Sequence, residues 1–401
     1  MSAPQRAGRV GLSVVLVATL CMLFFGFAHK SLCLLGDFNE RRYTAFCYSD
    51  IVPLYRSEGL SERRFPYLDA PNEYPPGTAL VMWSAALVSR GEGQFFLANA
   101  ALLAALALLT SWLLYRAVGS RALYFALAPT LALYAFLNWD LLAVALATAG
   151  TVAFLRRRDV GAGILLGLGA AAKVFPALLL VPFALQRVRE GDRRSAIRMA
   201  AAAAGAWALL NLPFVTLAFQ RWSYFLRFNS ERAPSPGTLW YAGCQAAAGA
   251  PGCGHVRFLD VLSLLAFVAI AVLVWRRKRA RWPGFPAWTF GLPLLAALLL
   301  TTKVYSPQYS LWLLPWFALV LPDLRLFLLF EAADAAVFVT EFSNLARLSG
   351  QGGAAPWLLT AAVLARATVL VGLLAAYVQT PEPAVESTPS DRVKMNPSPS
   401  W

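Results

Sequence analysis

Charged residues are scarce in this chain. Only 14% of its 401 residues are Asp, Glu, Lys or Arg and 59% are hydrophobic, whereas soluble domains average about 25% charged residues. Apolar runs of about twenty residues recur from end to end, which is typical of membrane-spanning helices. The composition excludes a soluble globular domain and predicts an all-α polytopic protein of the cell membrane.

A small-x-small cleavage site is missing after the first apolar run, residues 10–28. A short basic start precedes this run, as in a signal peptide, but the run is long enough to span a bilayer. We therefore expect a retained first helix whose N-terminus is cytoplasmic.

Arginines fall in short clusters between the apolar runs. Cytoplasmic loops carry such a basic excess, so we attribute the formal net charge of +14 to these loops and predict no nucleic-acid partner. Placing the clusters inside predicts about twelve transmembrane passes over residues 1–378, with both termini cytoplasmic. Large outer loops are then expected at 29–76 and 218–257, and a disordered cytoplasmic tail at 379–401.

Two consecutive apolar stretches, 161–172 and 173–187, are too short to cross a bilayer alone. They meet at Lys173, just before Pro176. Broken helices are tolerated at membrane depth only where protein or a wet cavity covers them. The middle of the chain is therefore expected to surround a cavity.

The chain has only five cysteines. Cys33 and Cys47 share the first outer loop, and Cys244 and Cys253 share the second. A pair in each of two outer loops suggests disulfides in an oxidising compartment, although two loop thiols can also share a segment by chance.

Short motifs lie in the expected outer loops and at the ends of the expected spans. They are D-x-x-x-x-Y at 50–55, P-Y at 66–67, E-Y-P-P at 73–76, N-W-D at 138–140, K-V-F-P at 173–176 and K-V-Y-S-P-Q-Y at 303–309. In this order they resemble the GT-C class of polyprenyl-phosphate-sugar glycosyltransferases. Within that class they look most like the actinobacterial mannosyltransferase family 87, which includes phosphatidylinositol-mannoside mannosyltransferases. The resemblance covers most of residues 10–321.

The resemblance implies a GT-C-like fold and an integral membrane enzyme. Such an enzyme moves a hexose, here expected to be mannose, from a polyprenyl-phosphate donor to a glycolipid or glycan acceptor at the outer face of the bilayer. The lipid phosphate leaves, and the configuration at the anomeric carbon inverts. No cofactor is implied, and no metal site is predicted because the outer loops contain no D-x-D pair.

Asp50 matches the carboxylate that acts as general base in this class and takes a proton from the acceptor hydroxyl. Its other interpretations are a solvated loop residue or the cap of a helix that begins at Ile51. Asp37 is a rival base because it lies closer to the first span. The spacing to Tyr55 favours Asp50.

Lys303 is expected beside the donor phosphate at an outer membrane edge, with hydrogen-bond donors from Gln308 and Tyr309. The alternative is a lysine that snorkels to the interface. Lys173 could hold a phosphate or satisfy the carbonyls that the helix break frees, and both interpretations stay open.

Other side chains are expected to contact substrate. They are Tyr55, Tyr74, Trp139, Asp140 and Arg232. Trp139 offers a flat face to a sugar ring, and Asp140 offers an acceptor to a hydroxyl. The alternative for Asp140 is a helix cap in an aromatic belt.

Arg366 lies within the last apolar run, where a charge is costly. We expect it to pair with Glu331 or Asp334 of the preceding span rather than with a ligand.

Two other classes of function compete with the enzyme. A transporter or flippase also has broken helices around a cavity, but a convincing internal repeat is missing and the ionisable residues lie mostly at the outer edge, which favours an enzyme. A non-catalytic subunit that has kept the fold is the third possibility. The enzyme interpretation weakens sharply if Asp50 and Lys303 do not face one another across the cavity.

Overall fold

A computed structural model describes residues 10–247 and 254–381. Every regular element in these two ranges is helical. The first ten α-helices are Leu12–Ser31 (α1), Phe38–Thr44 (α2), Ile51–Ser57 (α3), Pro76–Leu87 (α4), Glu92–Val118 (α5), Leu123–Ala126 (α6), Pro129–Tyr134 (α7), Asp140–Leu155 (α8), Asp159–Ala172 (α9) and Phe175–Leu178 (α10). The others are Leu180–Arg189 (α11), Arg193–Leu217 (α12), Phe219–Trp222 (α13), Tyr224–Glu231 (α14), Leu239–Ala246 (α15), Val256–Arg281 (α16), Gly291–Thr301 (α17), Leu314–Leu319 (α18), Leu324–Leu348 (α19) and Pro356–Gln379 (α20).

Five helical segments of the described chain are long and apolar enough to cross a membrane. They are Leu12–Ser31, Glu92–Ala126, Arg193–Leu217, Val256–Arg281 and Pro356–Gln379. Their outward faces are apolar too: the side chains of Phe24, Leu209 and Leu264 are 67%, 73% and 61% exposed. A helix that is hydrophobic all round suits a lipid environment. The prediction of an all-α protein with several membrane helices is confirmed, while the number of passes, the outer loops and the orientation stay predictions.

Small residues let two central helices pack closely. Gly163 and Gly167 lie one turn apart on α9 and face α12, where a Cβ at either position would collide with the backbone oxygens of Met199 and Ala203. This spacing of small residues is a common contact surface between membrane helices.

The predicted helix break is present. Helix α9 ends at Ala172, Lys173 is extended, and the short helix α10 follows. The Thr78 hydroxyl, at the start of α4, donates a 2.8 Å hydrogen bond to the carbonyl of Ala172. A side chain from another helix therefore satisfies a carbonyl that the break frees, and the Lys173 ammonium is left for another contact.

Two predicted pairings of side chains are present in the structure. Cys33 and Cys47 form a disulfide that ties the segment after α2 to the end of α1. Arg366 forms a buried ion pair with Asp334, with 2.8 Å between Nη1 and Oδ1. The predicted partner of Cys244, Cys253, lies outside the described residues.

Candidate active site

A cavity of about 770 Å³ lies where the motif-bearing segments meet. Much of its polar lining comes from the segment between α1 and α4, the turns at 138 and 173, the segment after α14, and the motif at 303–309. These lining side chains are Asp50, Glu73, Tyr74, Asn138, Lys173, Arg232, Lys303, Gln308 and Tyr309. Asp50 and Lys303 thus share one cavity despite their separation in the chain.

The backbone of the neighbouring turn holds Asp50 in place. Its amide N–H donates to the carbonyl of Leu137 at 2.8 Å, and the Ser49 hydroxyl donates to the carbonyl of Phe136 at 2.7 Å. Asp50 occupies the position before α3, but its side chain makes no capping hydrogen bond. Instead, Oδ2 accepts a 2.6 Å hydrogen bond from Nδ2 of Asn138. The carboxylate therefore faces the cavity and not the helix that follows it.

The rival carboxylate has a local structural role. Oδ1 of Asp37 accepts a 2.7 Å hydrogen bond from the N–H of Asn39 and caps α2. Asp37 is exposed and does not line the cavity.

Burial raises the pKa of the Asp50 carboxyl above its usual range. Hydrogen bonds from Tyr48 and Asn138 and the positive charges of Lys173 and Arg232 oppose this rise. A carboxylate with a raised pKa is a stronger base once it is ionised, which suits proton abstraction from a hydroxyl.

Glu73 is a second cavity carboxylate whose chemical role the sequence did not indicate. Burial, and next the charge of Asp50, raise the pKa of Glu73 to about 7. Arg232 and Lys173 oppose the rise. Glu73 is the acid of the E-Y-P-P motif, so its position in that motif was the available signal.

Asn138 links Asp50 to an aromatic wall. Its Nδ2 also lies 2.5 Å from the hydroxyl of Tyr74, and its Oδ1 accepts from the N–H of Trp139 at 2.6 Å. The Trp139 indole donates away from the cavity, to Oδ1 of Asn99 at 2.6 Å. The ring of Trp139 backs Tyr74 at a centroid distance of 5.6 Å. Tyr74 thus lines the cavity, whereas Trp139 supports the wall from behind.

Two further predicted contact residues lie away from the cavity. Tyr55 is buried and stacks on Phe95, with 4.8 Å between ring centroids. Asp140 is fully buried, and neither residue is part of the cavity lining. These positions give neither side chain direct access to a ligand in this cavity.

Asp140 instead orients Lys173. Its Oδ2 lies 3.0 Å from the Lys173 ammonium, and its Oδ1 accepts from the indole of Trp312 at 2.7 Å. The ammonium also lies 4.9 Å from the ring centroid of Tyr309 and 5.6 Å from that of Tyr74. With both carboxylate oxygens engaged inside the protein, Asp140 acts as a buried anchor and Lys173 is the member of the pair that reaches the cavity.

Lys303 lies at another part of the lining. Its ammonium forms a 2.9 Å ion pair with Asp260 of α16 and donates to the carbonyl of Ser230 at 2.8 Å. The side chain of Lys303 is 5% exposed and that of Asp260 is 39% exposed. This lysine is therefore enclosed by partners, which differs from snorkelling into water.

Helices α14, α16 and α17 contribute an apolar wall to the cavity. The side chains of this wall are Phe225, Leu226, Leu264, Phe267 and Leu298. Leu226 and Leu264 also reach the outer surface, at 48% and 61% exposure. The cavity thus combines cations with an apolar wall that continues to the outside of the helix bundle, a combination that suits a phosphate attached to a lipid chain.

A comparison with protein families gives a match to the family described as Glycosyltransferase family 87, over residues 73–307. The matched range is more than half of the chain and holds Glu73, Asn138, Lys173 and Lys303. Asp50 lies before it and Gln308 just after it. No curated protein matches the chain.

Proposed function

The chain belongs to glycosyltransferase family 87, and from this premise we propose that it transfers a hexose, mannose by its sequence resemblance, from a polyprenyl phosphate to a glycolipid or glycan acceptor. Family membership makes it a glycosyltransferase, and its long apolar helices make it a multi-pass membrane protein. The donor, the sugar, the acceptor and the outer-face location belong to the proposal.

One observation supports the proposal above all others. A carboxylate with a raised pKa, Asp50, and the cations Lys173, Arg232 and Lys303 line the same cavity, next to an apolar wall. A sugar transfer from a lipid phosphate needs a base near the attacking hydroxyl and positive charge near the departing phosphate.

The proposed reaction is a single displacement. The acceptor hydroxyl oxygen attacks the anomeric carbon of the donor sugar while Asp50 takes the hydroxyl proton. A carbon–oxygen bond to the acceptor forms as the bond between the anomeric carbon and the phosphate oxygen breaks. The electron pair of the broken bond leaves with the lipid phosphate, and the configuration inverts.

The cations share the stabilisation of the leaving phosphate. Lys173 is oriented by Asp140, and Arg232 lies near enough to Asp50 to affect the pKa of its carboxyl. Lys303 already has an anionic partner, Asp260, so a bound phosphate would compete with that carboxylate for the ammonium. Charge-assisted hydrogen bonds of this kind are stronger than those between neutral groups.

The test is hexose transfer by purified protein in membranes supplied with polyprenyl-phosphate mannose. We expect wild type to form a covalent product, and Asp50→Ala to lower kcat by about 100-fold or more with little change in donor binding. Asp37→Ala is the matched control, since this carboxylate of the same outer segment lies outside the cavity; it should retain activity.

Two results would overturn the proposal. Unchanged transfer by Asp50→Ala rejects the base, and movement of the lipid across the bilayer without any covalent product supports a flippase instead.

A further inference from the structure

Glu341 is a buried carboxylate in the cavity wall, on α19. It is 4% exposed, and its Oε2 has no hydrogen-bond partner among the described residues. A buried carboxylate oxygen without a partner is costly, so such a group in a cavity wall indicates a ligand that donates hydrogen bonds. Glu341 lies outside the range that matches the family.

The neighbouring cation Arg366 does not supply the missing hydrogen bond to Glu341. Arg366 lies close by, but its Nη1 donates to Asp334 at 2.8 Å and its Nη2 donates to the carbonyl of Gly237 at 2.5 Å. Gly237 makes room for the carboxylate, because a Cβ at that position would lie 2.9 Å from Oε2 of Glu341. Glu341 therefore lies beside the positive charge of Arg366, and its Oε2 is still available to accept a hydrogen bond.

Gln308 is a second buried polar side chain of the same lining. It is 2% exposed, and its Oε1 has no hydrogen-bond partner in the described part of the chain. A carboxamide can accept and donate hydrogen bonds, and a carboxylate can only accept. Hydroxyl groups, which both donate and accept, suit this pair of side chains.

An aromatic cluster lies next to Glu341. Phe342 packs 6.3 Å from Tyr43 and 6.1 Å from Tyr48, measured between ring centroids, and all three line the cavity. The C–H edges of a sugar ring carry slight positive charge and pack well on the negative faces of aromatic rings. The carboxylate and the carboxamide can form hydrogen bonds with the hydroxyls of a sugar, and the flat rings can pack against its C–H groups.

We propose that Glu341, Gln308 and the cluster of Tyr43, Tyr48 and Phe342 form a subsite that binds a sugar ring through its hydroxyls. Tyr48 is hydrogen-bonded to Asp50, so this subsite adjoins the base that takes the acceptor proton. The bound ring is therefore that of the acceptor. This inference rests on the proposed function and adds the chemistry of the acceptor.

The experiment compares monodeoxy substrates in two arms. One arm uses an alkyl mannoside and its monodeoxy derivatives as acceptors, and the other uses polyprenyl-phosphate mannose and its monodeoxy derivatives as donors. For wild type we expect one deoxy acceptor to lose about tenfold to 100-fold in kcat/KM, the effect of one hydrogen bond to a charged group.

In Glu341→Ala, the intact and the deoxy acceptor should react at nearly equal rates, because the group that distinguishes them is gone. Glu341→Gln should keep part of the discrimination, since one acceptor oxygen remains. A change in discrimination among the donors instead of the acceptors would place the donor sugar in the subsite and overturn the proposal as stated.

Glu331→Gln is the matched control. Glu331 lies on the same helix, is also buried, and also has an oxygen without a hydrogen-bond partner among the described residues, but it does not line the cavity. It should show wild-type discrimination. If Glu341→Ala does not fold, Phe342→Leu should raise the KM for the acceptor several-fold without changing the KM for the donor.

The outcomes separate the two proposals. Failure of wild type to transfer hexose from any polyprenyl-phosphate donor rejects the proposed function. Normal transfer with undiminished discrimination in both Glu341→Ala and Glu341→Gln, or an unchanged acceptor KM in Phe342→Leu, rejects the subsite alone.

Discussion

Nδ2 of Asn138 donates a hydrogen bond to Oδ2 of Asp50 over 2.6 Å. This contact joins the N-W-D turn to the segment between α1 and α4. It stabilises the ionised form of the Asp50 carboxyl, so it lowers a pKa that burial raises.

Removal of that contact should shift the pH dependence of catalysis. In Asn138→Ala the pKa of Asp50 should rise further, so this carboxyl, the proposed base, ionises only at higher pH. We expect the acid limb of the kcat/KM profile to move up by roughly one pH unit, with little loss at high pH. Asn229→Ala is the control, because that cavity amide bonds the carbonyl of Phe225 in its own helix. An equal loss of kcat/KM at every pH would contradict the prediction.

The buried pair of Asp140 and Lys173 predicts a stability effect that a second mutation reverses. Asp140→Asn leaves the ammonium without its anion, which should cost about 3 kcal/mol, the low end for a buried pair because Lys173 borders the cavity. The double variant Asp140→Asn, Lys173→Met should regain much of that stability but not the activity. Thermal unfolding in detergent measures the stability, and the KM for the donor reports on the activity. Additive losses would contradict the coupling.

The pair of Lys303 and Asp260 predicts a gain in donor affinity. Under the proposed function, the phosphate of the donor competes with Asp260 for the Lys303 ammonium. An amide binds an ammonium less strongly than a carboxylate does, so Asp260→Asn should lower the KM for the donor. The decrease should reach about fivefold at most, because Asp260 is partly exposed. Glu231→Gln, an exposed neighbour of Ser230 outside the cavity lining, should have little effect. A raised donor KM in Asp260→Asn would show that the carboxylate holds Lys303 in place and does not compete with the ligand.

Glu73 predicts how stability depends on pH. Burial raises the pKa of this carboxyl from its ordinary 4.5 to about 7 in the folded protein. Its contribution to stability is therefore fully present below pH 4.5 and is lost as the pH rises through about 7. As the pH rises from 4.5 to about 7, the Tm of wild type should fall by roughly 2 °C more than the Tm of Glu73→Gln.

Glu62→Gln is the control for this measurement, since the Glu62 side chain is 62% exposed in the same segment between α1 and α4. The Tm of Glu62→Gln should depend on pH in the same way as that of wild type. Identical pH curves for wild type and Glu73→Gln would contradict the raised pKa.

Local features of the sequence predicted a large part of the fold. The length of the apolar runs indicated membrane helices, because a bilayer sets the number of apolar residues that a helix needs. The short runs on either side of Lys173 indicated the break between α9 and α10, which the structure confirms. Cys33 and Cys47 lie close enough in the chain that their shared loop already suggested the disulfide.

The sequence alone identified the membrane class, the helix break and many of the cavity residues, since each depends on a run of apolar residues or a motif within one segment. Only the tertiary structure decided which side chains meet. It paired Asp140 with Lys173 and Lys303 with Asp260, placed Tyr55 and Trp139 behind the wall, and brought Glu341 into the lining. These outcomes depend on packing between helices far apart in the chain. The sequence pattern within one segment does not indicate how distant helices pack against each other.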